Sequence, residues 1–207
     1  MDPASDLLTL RKNTAGLESP STPVSPHAVP VRVWDGPTRL SHWAVAALFG
    51  FSWWSARSGH LDYHRWSGLT LLGVLALRVV WGFVGSGTAK FAHFVKGPRT
   101  VWRYVRGQLD SRPPGHNPLG ALSVLAMLAL LAAQVGLGLF SVDVDGLESG
   151  PLSDRVSFET GRLCARLHGL GFNLLLTLVG IHLLAVLAHL LIKRDNLIVP
   201  MITGWKK

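Results

Sequence analysis

The chain has 207 residues, of which 48% are hydrophobic and only 15% charged, and 20 Lys and Arg against 12 Asp and Glu leave a net charge of +8. Soluble domains carry about a quarter charged residues, so this deficit, with a mean hydropathy of +0.32, points to a membrane class. Nucleic-acid binding fits poorly because the basic residues flank apolar runs instead of forming one stripe, and a single cysteine, Cys164, excludes an intrachain disulfide.

Met1 to Pro30 is rich in Ser, Pro, Thr and Ala, and Ser19-Pro20-Ser21-Thr22-Pro23 reads as part of a disordered tail. No charged start followed by an apolar core is present there, so a cytoplasmic tail is expected rather than a secretory signal. Residues 31–207 are expected to form one membrane domain. Four apolar spans follow, at Leu40–Ala56, Trp66–Val84, Pro118–Phe140 and His168–Leu191. Each approaches the roughly 20 residues that a helix needs to cross a bilayer. They lack the alternation of barrel strands, and only helices or closed barrels satisfy their backbone in lipid. The fold class is therefore all-α, a four-helix transmembrane bundle.

Local chemistry supports these spans. Trp53 and Trp54 at the end of the first suit an interfacial anchor, and Asn117 before Pro118 suits a cap followed by a first turn. Between the second and third spans, Val101-Trp102-Arg103-Tyr104-Val105-Arg106 suggests a short basic amphipathic segment lying on headgroups. Most Lys and Arg lie before the first span, between the second and third, and after the fourth. The positive-inside rule then puts both termini in the cytoplasm. An acidic 141–164 loop, with Asp143, Asp145, Glu148, Asp154 and Glu159, faces the opposite compartment; it is a solvated loop or a surface for a basic partner.

Four histidines sit in or at the mouths of these spans: His42, His64, His168 and His182. An imidazole in hydrocarbon is costly unless something binds it, and neutral imidazole is a common axial ligand of haem iron. His168 and His182 are fourteen positions apart, which returns a helix to within about 40° of its starting direction after a rise of about 21 Å. That spacing suits two stacked cofactors, each needing one further ligand. His64 matches the depth of His168, and His42 enters the first helix from the cytoplasmic side. His189, seven positions after His182, shares the same face, so depth alone leaves His182 and His189 both open for the inner site. Arg78 is fourteen positions after His64; either it pairs with an anion such as a haem propionate or it snorkels to the interface. Gly68, Gly73, Gly169, Gly171, Gly180 and Ala185 either leave room for a flat macrocycle or let helices pack closely.

The chain resembles the bacterial cytochrome b561 family, which includes the b-type cytochrome subunits of nickel–iron hydrogenases. The matching pieces are Val33-Trp34-Asp35-Gly36-Pro37-Thr38-Arg39-Leu40-Ser41-His42-Trp43, His64-Arg65-Trp66-Ser67-Gly68, and Arg78 through Gly85. They continue with Gly115 through Gly120, then His168 through His182, and end in Lys193 through Leu197 and Met201 through Gly204. The resemblance runs from about Val31 to Lys207. It implies four transmembrane helices and two b-type haems, ligated by His42, His64, His168 and His182, with pairs linking the first and second helices to the last. This favours His182 over His189.

Two irons at different depths make an electron relay, with nearby charge from Arg39 or Arg78 among the levers on its potentials. The expected function is an inner-membrane di-haem b-type cytochrome of a respiratory chain. It would carry electrons between an external redox partner, a hydrogenase or a c-type cytochrome, and the quinone pool. A homodimer is compatible with this arrangement. A second reading, also implied by the resemblance, is a self-contained superoxide:ubiquinone oxidoreductase, for which Arg57, His60 and Arg65 could attract a small anion. A third, a haem-free metal transporter, would call for carboxylates or thioethers along a path, and the spans hold essentially none.

Overall fold

Helix starts follow capping chemistry. Asp35 Oδ1 accepts the Thr38 N–H at 2.9 Å, and Pro37 occupies a first-turn position where a missing N–H costs nothing. Asn117 Oδ1 accepts from Gly120 N at 2.7 Å ahead of Pro118, and Ser157 Oγ accepts from Thr160 N at 3.2 Å. The structure, a computed structural model, describes residues 31–108, 117–143 and 149–206. Its elements in order are β1 (Val31–Arg32), α1 (Gly36–Arg57), α2 (Leu61–Val84), α3 (Phe91–Phe94), α4 (Pro98–Val105), α5 (Pro118–Phe140), α6 (Phe158–Leu191), α7 (Ile198–Thr203) and β2 (Trp205–Lys206). The expected tail, Met1–Pro30, lies outside the described residues, as do Asp145 and Glu148 of the acidic loop.

α1 pairs with α2 and α5 pairs with α6, each as a hairpin, and α2 against α5 joins the two. The shared core is a layer of Leu71 and Leu75 from α2, Leu131 and Val135 from α5 and Leu175 from α6, packed by Val45, Leu48 and Phe49 of α1. Among the described residues three helices, α2, α5 and α6, are long and apolar enough to cross a membrane. α1 is 22 residues long but more polar, carrying Arg39, His42, Ser52 and Ser55. Large apolar side chains point outward along these helices, including Leu77 (72% exposed), Phe83 (70%) and Leu184 (67%). Such continuous apolar exposure is what a lipid solvent permits and water does not.

Three helices start earlier than the sequence-based boundaries. α6 starts at Phe158, ten residues before the expected start at His168, so Phe158–Cys164 of the expected 141–164 loop is helical. α1 and α2 also begin several residues early, at Gly36 and Leu61. The expected basic segment is α4, and Arg106 lies over the Trp102 ring at 4.6 Å.

At the end of the bundle where α1 begins and α6 finishes, here the basic end, the two ends of the described chain are tied together. β1 and β2 pair antiparallel, Val31 opposite Lys206 and Arg32 opposite Trp205. The Gly204 carbonyl accepts from Val33 N at 2.8 Å and Trp34 N at 3.2 Å. Gly204 holds φ of +89°, and a Cβ there would stand 2.8 Å from the Trp34 carbonyl oxygen, so glycine is required twice over. Trp43 Nε1 donates to the Met201 carbonyl at 3.2 Å, Arg39 Nη1 donates to the Ile202 carbonyl, and Lys206 pairs with Asp195 at 2.8 Å.

Candidate functional site

At the opposite, far end, α2 presents His64 and α6 presents His168 to each other. Their ring centroids are 5.9 Å apart and their planes are perpendicular. His168 Nδ1 lies 2.9 Å from the Gln134 carbonyl, and His64 Nδ1 lies 3.0 Å from the Ser52 carbonyl and 2.9 Å from Ser52 Oγ. A carbonyl oxygen can only accept, so both Nδ1 atoms carry the proton and both Nε2 atoms keep a free lone pair. A metal-ligating histidine has this arrangement, its other nitrogen donating to a backbone carbonyl. Two metal–imidazole bonds of about 2 Å, plus roughly 1 Å from each nitrogen to its ring centre, require about 6 Å between centroids. The observed separation fits one metal ion held between the two rings.

The pair opens onto a cavity of about 520 Å³, within the range of cofactor and ligand sites. Its lining includes Phe49, Ser52, Trp53, Gly68, Gln134, Gly138, Gly169 and Phe172, with Arg57 and Arg65 among the residues near the mouth. A Cβ on Gly68 or Gly169 would meet nothing within 4 Å, so these glycines widen the cavity. Gly171 instead makes room for Gln134, since a Cβ there would stand 2.6 Å from Gln134 Oε1. Phe172 stacks on Phe49 at 6.1 Å and lies 6.3 Å from Trp53, an apolar wall suited to a flat aromatic ligand. Among the described residues no group of three or more His, Cys, Asp or Glu could hold a metal. Two imidazoles beside an apolar cavity suit a metal whose remaining ligands come with a macrocycle, as in haem.

Nearer the basic end, His42 of α1 lies within electrostatic reach of His182 of α6. His42 Nδ1 is buried with no hydrogen-bond partner among the described residues, and its ring meets Trp43 edge-on at 5.1 Å. His189 is engaged elsewhere: its Nδ1 donates to the Ala185 carbonyl at 2.9 Å, and Lys193 Nζ lies 3.3 Å from its Nε2. The two histidine levels are separated by the apolar core layer, and Leu175 is seven positions from both His168 and His182.

Arg78 also lies toward the basic end. Its guanidinium carbon is 5.4 Å from the Phe91 ring centre, and its buried Nη1 has no hydrogen-bond partner among the described residues. A half-buried cation with a buried, orphaned donor fits an anionic ligand group such as a carboxylate. Arg39 has one arm on the Ile202 carbonyl, while its buried Nε is unpartnered among the described residues. Asp35 is the polar hub of this end. Its Oδ2 accepts from Trp81 Nε1 at 2.8 Å and Ser86 Oγ at 3.0 Å, tying the end of α2 to the start of α1.

Sequence reasoning missed Gln134 and Ser52. Gln134 is the one amide in the apolar run of α5, and it is buried; its Nε2 donates to the His168 carbonyl at 2.9 Å. A lone amide in hydrocarbon was the available signal. Arg65 lies 3.6 Å from Asp62, and His60, which does not line the cavity, sits between the rings of Trp54 and Tyr63 at 5.9 and 5.7 Å.

The family model described as prokaryotic cytochrome b561 matches residues 33–204. Two relatives, each described as a probable Ni/Fe-hydrogenase B-type cytochrome subunit, align over 211 residues, covering 85% of this chain and 88% of the relative. The protein from Azotobacter chroococcum mcd 1 is 27% identical and that from Azotobacter vinelandii 26%. No solved structure matches the chain.

Proposed function

Because the chain belongs to the prokaryotic cytochrome b561 family, membrane b-type cytochromes of electron transport, we propose that it is a four-helix di-haem relay between an external redox protein and the quinone pool. Haem, when bound, supplies reversible one-electron iron chemistry. His64 and His168 would hold the far haem through the free Nε2 atoms, and His42 and His182 would hold the other. The geometry of the far pair carries this reading: facing perpendicular imidazoles at 5.9 Å, each with Nδ1 on a backbone carbonyl. A haem held by two protein imidazoles would be suited to electron transfer rather than to binding of oxygen.

The rest of the chain supports these ligands. Leu71, Leu75 and Leu175 exclude water between the two levels, and Arg78 is suited to hold a propionate at the basic-end site. The basic end, with Arg99, Arg103, Lys193 and Arg194, faces the cytoplasm of a bacterial inner membrane under the positive-inside rule. The relatives' descriptions favour a hydrogenase as the external partner. Protein reconstituted in liposomes is expected to show haem reduction on addition of a quinol; no reduction with any quinol analogue would remove quinone from the proposal.

Arg57 and Arg65 at the cavity mouth support a second reading, direct oxidation of superoxide. Rapid mixing separates the two. Haem reduction by superoxide near the diffusion limit would favour it, and slow reduction would leave the partner-fed relay.

A further inference from the structure

The two histidine levels differ in how their Nδ1 atoms are used. At the far pair both are tied down, by Ser52 of α1 and Gln134 of α5, whereas His42 Nδ1 has no hydrogen-bond partner among the described residues. We propose that Ser52 and Gln134 are positioning residues of the far haem, fixing the tautomer and ring planes of His64 and His168 and lowering that haem's midpoint potential. This rests on the reading that His64 and His168 are its ligands.

Ser52 acts through its hydroxyl. The Ser52 carbonyl also accepts from Ser55 Oγ at 3.0 Å, so it is shared, and Ser52 Oγ at 2.9 Å is the acceptor that the side chain adds to the His64 N–H. An acceptor on Nδ1–H makes Nε2 more basic, and a more basic imidazole stabilises the more positively charged, oxidised iron.

Gln134 acts through a closed clasp. Its carbonyl accepts the His168 N–H at 2.9 Å while its Nε2 donates to the His168 carbonyl, also at 2.9 Å. Two bonds in opposite directions between the same residues hold α5 and α6 at one level. The side-chain limb thereby sets the length and angle of the main-chain limb. Gly171 provides the space for this amide. A buried amide in an apolar helix is costly where its bonds go unused; here Nε2 is spent on one proposed ligand, while the buried Oε1 has no hydrogen-bond partner among the described residues. A mere helix staple would bear on stability alone, and the potential distinguishes the two roles.

The test is a potentiometric titration of the full-length protein, purified in detergent with its haems, followed by reduced-haem absorbance. His64→Ala and His168→Ala identify the far haem as the wave they remove. Ser52→Ala is expected to keep both haems and move only that wave, about threefold toward the reduced form, which is about 28 mV for one electron at 59 mV per tenfold. Ser52→Thr, which restores a hydroxyl, is expected to bring it back. Gln134→Leu is expected to move the same wave in the same direction and to change that haem's low-spin EPR signal. If Gln134→Leu does not accumulate, the Ser52 pair decides. Unmoved waves in Ser52→Ala, or equal movement of both, would overturn the inference and leave the ligand assignment intact. Retention of both waves in His64→Ala and His168→Ala would overturn the assignment, and the inference with it.

Discussion

Replacing Gly138 by Ala should set helix stability and haem binding against each other. Gly138 lies on α5 opposite His168, and a Cβ there would stand 3.1 Å from His168 Cε1 and 3.3 Å from its Nδ1. Carbon atoms prefer about 3.5–4.0 Å, so the ring must retreat by about 0.4–0.9 Å. It is held by the 2.9 Å bond from Nδ1 to the Gln134 carbonyl, which such a shift stretches past the roughly 3.2 Å limit of a good hydrogen bond. Losing that bond costs about 1 kcal/mol, and overpacking adds about 1–2 kcal/mol. The sum of about 2–3 kcal/mol corresponds to about 30–150-fold weaker binding at the far site. Alanine itself favours the helix by about 0.5–1 kcal/mol. The variant should therefore accumulate normally but retain about one haem per chain at limiting haem, measured as reduced-haem absorbance per protein. Haem content and affinity equal to those of the unaltered chain would mean that the ring is not fixed where a ligand needs to be.

Single alanine replacements should sort the histidines into pairs: His64→Ala or His168→Ala removing one haem, His42→Ala or His182→Ala the other, and His189→Ala neither, as read by absorbance and EPR. Asp35→Ala should lower stability in detergent by roughly 2–3 kcal/mol at neutral pH, about 1–2 from the lost cap and about 1 from the donors left on Trp81 and Ser86. Partial burial raises the Asp35 pKa, but hydrogen bonds from Thr38, Trp81 and Ser86 outweigh it and hold the carboxyl below its ordinary value. The charged form's contribution is thus present above the unfolded value of about 3.9 and is lost as pH falls through the lower folded value. The deficit of Asp35→Ala should stay constant from about pH 7 to 5 and shrink only below about pH 4 in thermal melts. Ending the chain at Asn196 removes the acceptors of Val33, Trp34, Arg39 and Trp43; it should speed proteolysis near Trp34, read by mass spectrometry, and loosen the basic-end haem before the far one.

The helices were legible where the sequence codes them locally. Asn117-Pro118 and the long apolar run fix α5, and the expected Pro118–Phe140 is the span observed. Hydropathy reports contact with lipid rather than helix length, so it missed the polar opening turns of α6, where Ser157, Glu159 and Arg162 sit before the apolar run. The same blindness shortened α1, whose start is set by Asp35 and not by an apolar residue. Helical arithmetic on His168 and His182 gave two levels on one face, but it left His189 open. Its engagement with Ala185 and Lys193 depends on side-chain direction, which spacing does not specify. Ser52 and Gln134 were illegible as partners of the histidines because each bond crosses between helices. Periodicity within one helix carries no record of which neighbour it meets. Arg39 was expected to act through its charge; its contact with Ile202 depends on how a distant segment folds back.

We propose that imidazoles from three helices hold two haems at two depths. The most direct measurement is the haem-to-protein ratio of the purified chain from iron- and haem-replete cells, taken with its redox titration. Two haems per chain and two one-electron waves are expected. A colourless protein, or a single haem that survives loss of either His64 or His42, would contradict it.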